Sequence, residues 1–183
     1  RSEVAADSHL LSAMPSSAVD KYLAGYPPHL ILQVRQLLEQ QQLANVLRAK
    51  YPHAHAVRSD AALYGYVQQL KGAYLRTASP LGKVMFDSRL SILKQVLGTN
   101  SRISRVQGTK LKAKSEIRVA ALFREMPEPF LRMIVAHELA HLKEREHDKA
   151  FYQLCRHMVP DYFQLEFDLR AYLCLLETTA QPL

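Results

Sequence analysis

Residues 128–151 read EPFLRMIVAHELAHLKEREHDKAF, and two kinds of spacing run through them together. Leu131, Ile134, Val135, Leu139 and Leu142 recur at intervals of three and four, the period of a helix with one apolar face. His137 and His141 are four apart, so on that helix they lie about 40° from each other, one turn up. Two imidazoles so placed can reach a single ion. Glu138 sits about 100° round from His137 and about 60° from His141. There it leans over the ion without occupying a coordination position, the place of a carboxylate that takes a proton from activated water and returns it to a leaving group. The pattern is His-Glu-x-x-His, and its helix is too apolar to lie on a surface. A buried helix carrying two histidines and a glutamate needs a partner for those groups, and a metal ion supplies one.

A catalytic zinc commonly has three protein ligands and one open position. The candidates for the third are Glu144, His147, Asp161, Glu166 and Asp168. Glu144 shares the helical face of His137 but stands almost two turns on, a long reach for the same ion. His147 is favoured, because Asp148 beside it reads as the cap of a new helix and lets the chain fold back.

Outward from this stretch, the first third is helical. SSAVDKYLAGY is a short helix opened by serine. PPHLILQVRQLLEQQQLANVLRAKY reads as one helix with Pro27 and Pro28 at its start, an apolar face of Leu30, Val34, Leu37, Leu38 and Leu43, and Pro52 as its stop. SDAALYGYVQQLKGAYLR is another, capped by Ser59 or Asp60, with Leu63, Val67, Leu70 and Tyr74 on one stripe. The middle changes character. KVMFDSRL and EIRVAALF are short, rich in Val, Ile and Phe, and bounded by turn residues. With turn signals at Gly98–Asn100 and Gly108, two to four strands in a small antiparallel or mixed sheet are expected. Helices return with DKAFYQLCRHMV and DYFQLEFDLRAYLCLLE, for which Asp148 and Asp161 are plausible caps. Helices, then strands, then helices make an α+β fold. The expected division is a helical extension over 1–58, a catalytic domain over 59–178 and a tail over 179–183.

Composition narrows the classes. The 183 residues are 48% hydrophobic and 22% charged, ordinary for a globular chain with room for one sizeable core. No apolar run approaches the roughly 20 residues that cross a bilayer, and RSEVAADSHLLSAMPSS lacks the apolar centre of a secretory signal. Two cysteines, Cys155 and Cys174, exclude a disulfide scaffold and make a reduced, cytoplasmic chain the simplest expectation. The net charge of +7 gives a modest preference for anionic partners.

The stretch HELAHLKEREHDKAF is similar to the H-E-L-x-H-x5-H-[SD]-x-x-F signature of the YgjP-like metallopeptidase family and of the related SprT-like proteases. The resemblance extends over LKAKSEIRVAALFREMPEPFLRMIVAHELAHL and covers roughly residues 60–176. It implies a minigluzincin-like arrangement, with one zinc ion held by His137, His141 and His147 and with Glu138 as general base. It also implies that Phe151 packs behind the site and that EIRVAALF pairs with extended substrate through its main chain. Where many relatives carry Trp-Gly-Ser-Cys before that strand, this chain has SRVQGTKLKAK and no tryptophan.

The leading expectation is therefore zinc-dependent hydrolysis of a peptide or protein substrate. Hydrolysis of a nucleotide phosphoanhydride at the same metal competes with it, although no glycine-rich phosphate loop is present. Proteolysis of nucleic-acid-bound proteins and a non-catalytic zinc scaffold are further readings. The basic stretch 102–118, with Arg102, Arg105, Lys110, Lys112 and Lys114, is a weak candidate for nucleic-acid contact and a better one for a solvated loop. Arg118, Arg124, Tyr152 and Tyr162 are all open as groups that stabilise negative charge. His53 and His55 read as an incidental pair, and Cys155 as a core thiol.

Overall fold

The structure, a computed structural model, describes residues 14–96, 115–180 and 182–183. It has the expected α+β composition, with α1 (Met14–Leu23), α2 (Pro28–Glu39), α3 (Leu43–Lys50), α4 (Asp60–Tyr74), β1 (Leu81–Asp87), α5 (Ile92–Val96) and β2 (Ser115–Ala120). A 3-10 turn (Ala121–Glu125), α6 (Glu128–Ala140), α7 (Lys149–Met158) and α8 (Tyr162–Thr179) complete it. Among the described residues, those up to Pro52 and from Gln164 onward form one compact unit, and those between His53 and Phe163 a second. Gly98–Asn100, Gly108 and the cations from Arg102 to Lys114 lie outside the described residues. No helix among the described residues is long and apolar enough to cross a membrane.

In the first unit, the single helix expected over 27–51 is two. The break at Gln40–Gln42 is a helix stop in which Gln41 takes φ 56°. Its N–H bonds to the Leu38 carbonyl and that of Gln42 reaches back to Leu37, the paired bonds that close a helix through a left-handed residue. Glycine normally fills that position, and a glutamine there carries no signal in the sequence. Val34 and Leu38 of α2 and Leu43 and Leu47 of α3 are buried. The buried carboxylate of Asp168 accepts from Lys50 Nζ at 2.6 Å and from the Tyr51 hydroxyl. Arg170 bridges the Glu166 carboxylate and the Tyr22 carbonyl.

In the second unit, Ser59 caps α4, its hydroxyl accepting from Ala62 N–H. The buried stripe of that helix is Leu63, Val67 and the stem of Lys71. Tyr74 is exposed instead, its ring edge-on to His157. β1 and β2 run parallel, with Val84 opposite Ile117 and Phe86 opposite Val119. The pairing is thus neither antiparallel nor mixed among the described residues, and the long connection 88–114 is what makes it possible. Antiparallel strands can be joined by a two-residue turn, whereas parallel ones need a dozen or more residues between them. EIRVAALF is a strand only as far as Ala120; the following 3-10 turn sinks Phe123 into the core.

α6 is the centre of this unit. It buries Phe130, Leu131, Met133, Ile134, Val135, Ala136, His137, Leu139 and Ala140, apolar nearly all round, as a helix covered on several sides must be. Each large side chain among them contributes roughly 1.5–3 kcal/mol of burial. Glu128, in its first turn, accepts a 2.6 Å hydrogen bond from Tyr66 of α4. Such packing fixes the end of α6 from which the histidines project.

Candidate metal centre

α6 ends at Ala140, with His141 as its C-terminal cap residue still in helical conformation. His137 and His141 therefore keep their one-turn spacing, with ring centroids 5.0 Å apart. After a tight turn the chain returns. His147 brings its Nε2 to 3.2 Å from that of His137 and 3.0 Å from that of His141. Asp148 accepts from Phe151 N–H and starts α7, so the cap read from the sequence is what turns His147 back. Of the five candidates for the third position, His147 joins the pair; these three are the only cluster of potential ligands among the described residues. Asp168 and Glu166 are engaged with Lys50 and Arg170 respectively. Glu144 contributes a main-chain oxygen in place of a carboxylate.

That oxygen fixes a tautomer. The Glu144 carbonyl lies 3.0 Å from His141 Nδ1, and a carbonyl only accepts. Nδ1 of His141 therefore carries the proton, and its Nε2 turns a lone pair towards the other two rings. On the far side of His137, Nδ1 shares a 2.7 Å hydrogen bond with the hydroxyl of Tyr162, which is fully buried. Phe151 is buried behind the cluster, its ring centroid 4.9, 4.6 and 4.6 Å from those of His137, His141 and His147. Burial, reinforced by the two neighbouring imidazoles, holds His137 well below the ordinary histidine pKa. Burial also lowers His147, with Glu146 opposing the shift. Neutral imidazoles are the ligand form, so both side chains are prepared for a cation near neutral pH.

These residues fit a zinc ion. Nitrogens each about 2.0–2.1 Å from a tetrahedrally coordinated ion lie about 3.4 Å apart. The separations from His147, 3.0 and 3.2 Å, are slightly below this, and all three ligand nitrogens lie within 4.8 Å of one another. Two rings are held from behind by a hydroxyl and a carbonyl, the outer contacts that orient metal-binding histidines. Half-buried Glu138 follows His137 on α6.

Tyr162 stands in a different role from the one left open for it. Its hydroxyl is committed to His137, and it positions that ring. A tyrosine at a helix start carries no mark of such a contact. Tyr162→Phe preserves the ring and leaves Nδ1 of His137 buried without its partner. Metal affinity, read by competition with a chelator, is expected to fall about 10–100-fold with the fold intact by circular dichroism; unchanged affinity would remove the hydroxyl from the site. Of the other open groups, Tyr152 borders the cluster, its ring centroid 6.2 Å from that of His147, while the two arginines are engaged elsewhere. Arg118 is bound to Glu116 and Asp87, Arg124 stacks on Phe86, and Tyr152 lies between the rings of Phe151 and Phe163. His55 uses both ring nitrogens, on the Phe123 carbonyl and the Val57 N–H.

Comparison with known proteins gives two matches. The family described as YgjP-like, metallopeptidase domain, matches residues 67–172. The chain is also 59% identical over 155 residues to a protein of Escherichia coli (strain K12) named UTP pyrophosphatase, covering 85% of this chain and 93% of that one. No solved structure matches. The matched range contains the whole histidine cluster and the helices that hold it, and the chain belongs to the YgjP-like family of metallopeptidase-domain proteins.

Proposed function

We propose that the chain is a zinc-dependent hydrolase of nucleoside triphosphates, splitting UTP into UMP and pyrophosphate. The observation that carries this reading is its 59% identity to a UTP pyrophosphatase along 93% of that relative. Identity so high across nearly a whole protein speaks to substrate more closely than a family description does. His137, His141 and His147 are the proposed ligands and Glu138 the proposed base. Zinc in such a set supplies Lewis acidity, which brings the pKa of water towards neutrality. Glu138 takes a proton from the attacking water as its oxygen bonds to phosphorus. The bridging P–O bond between the α and β phosphates breaks, and Glu138 returns the proton to the leaving pyrophosphate. Lys143, Arg145 and Lys149 are exposed on either side of His147, interleaved with Glu144, Glu146 and Asp148, and are the cations nearest in sequence to the cluster for offsetting phosphate charge. That matters in phosphoryl transfer, where positioning and electrostatics dominate. The net charge of +7 favours encounter with a polyanion. Nucleotide chemistry, with Cys155 and Cys174 outside any disulfide, agrees with a cytoplasmic setting.

Peptide hydrolysis is the second reading, favoured by the metallopeptidase description of the family. Relatives of this class are read as pairing extended peptide with the strand before the metal helix, and β2 is that strand here. The deciding experiment incubates the zinc-loaded protein with UTP and, in parallel, with a mixed peptide library. Release of pyrophosphate with the peptides intact is the expected result. Cleaved peptides beside untouched UTP would reverse the order of the two readings.

A further inference from the structure

α7 carries a second feature that borders the histidines through Tyr152. Lys149, Tyr152, Gln153 and Arg156 recur at helical spacing and, with Phe163 of α8, line a surface pocket of about 320 Å³. No acidic side chain lines it. Phe163 is 49% exposed, a large flat apolar surface left in water. Its ring lies 5.3 Å from that of Tyr152, and the Arg156 guanidinium stands 5.9 Å from its centroid. An aromatic face beside a guanidinium is a platform on which a nucleobase stacks, and the Gln153 amide both donates and accepts, as a base edge requires. Lys149 lies seven residues before Arg156, about 10 Å along the helix axis. It stands next to Asp148 and two residues from His147. Tyr152 links the two regions, with its ring 6.2 Å from that of His147.

We propose that this pocket is the nucleoside end of the substrate site, taking the base of a nucleoside triphosphate on Phe163 and Arg156 while Lys149 guides its phosphates towards the histidines. The proposal rests on the nucleotide reading above. A purely acidic peptide would satisfy the two cations and leave the exposed half of the Phe163 ring uncovered. The span from Phe163 through Tyr152 to His147 suits an extended nucleotide.

The test separates base from phosphate and binding from turnover. UTP and inorganic tripolyphosphate are titrated calorimetrically into the zinc-loaded Glu138→Gln protein, with and without Phe163→Ala or Arg156→Ala. UTP turnover is measured in the same two pocket variants with Glu138 present. The expected result is UTP binding weakened about tenfold or more by Phe163→Ala, restored by Phe163→Trp, with tripolyphosphate unaffected. KM should rise while kcat holds. Equal losses for both ligands, or no loss for UTP, would overturn the pocket. So would tighter binding of oligouridylate than of UTP, which would make the platform a nucleic-acid surface. If the unsubstituted protein binds UTP through Phe163 and does not hydrolyse it, the pocket stands and the proposed activity falls. If it hydrolyses UTP indifferently to Phe163, the activity stands and the pocket falls.

Discussion

Glu138→Gln is expected to leave one metal ion per chain and to lower UTP hydrolysis by at least 10²–10⁴-fold, the usual contribution of a positioned acid–base group. The substitution keeps the shape of the side chain and removes only its capacity to take a proton. Half-buried on α6 beside His137, the amide leaves the three imidazoles undisturbed, so metal content and thermal stability should match the unsubstituted protein. Activity and metal analysis on the same sample make the outcome unambiguous. Retained activity would take the general-base role from Glu138, and lost metal would make it a ligand. Should peptides prove to be the substrate, the same substitution should silence their cleavage too, because proton transfer from the attacking water is a step of either hydrolysis.

His147→Ala carries the other large effect. His147 lies in the turn between α6 and α7 and is partly exposed, so truncating it leaves no cavity in a packed core. The fold should survive, with metal affinity falling by more than the 10–100-fold typical of losing an outer contact, and turnover falling with it. Chelator competition and plasma emission analysis read the first, pyrophosphate release the second. Full occupancy in His147→Ala would return the third position to one of the acidic candidates.

What the sequence disclosed follows from what local chemistry controls. The spacing of His137 and His141, the cap at Asp148 and the cap at Ser59 are properties of a few adjacent residues, and each stands where the pattern put it. His147 was within reach because an aspartate beside it signals a helix start. The parallel pairing of β1 with β2 was not legible, since direction is decided by the path of a long connection and leaves no mark in the strands. Gln41 hid a helix break because its left-handed conformation is held by two backbone bonds. Tyr162 acquires its role only when its hydroxyl meets His137, and alternation or spacing cannot report a contact across 25 residues.

The turn from His141 to His147 has a consequence for which changes this protein can absorb over time. It receives one main-chain oxygen from Glu144 and a starting point for the next helix from Asp148. A carbonyl is common to all amino acids, so drift in the side chains of residues 142–146 leaves the cradle standing. The number of residues is another matter. One added or lost between the two helix ends would move His147 off the ring of His141 and carry the first turn of α7 with it. Homologues are thus expected to hold the length of this turn more strictly than its wording, the cations Lys143 and Arg145 apart.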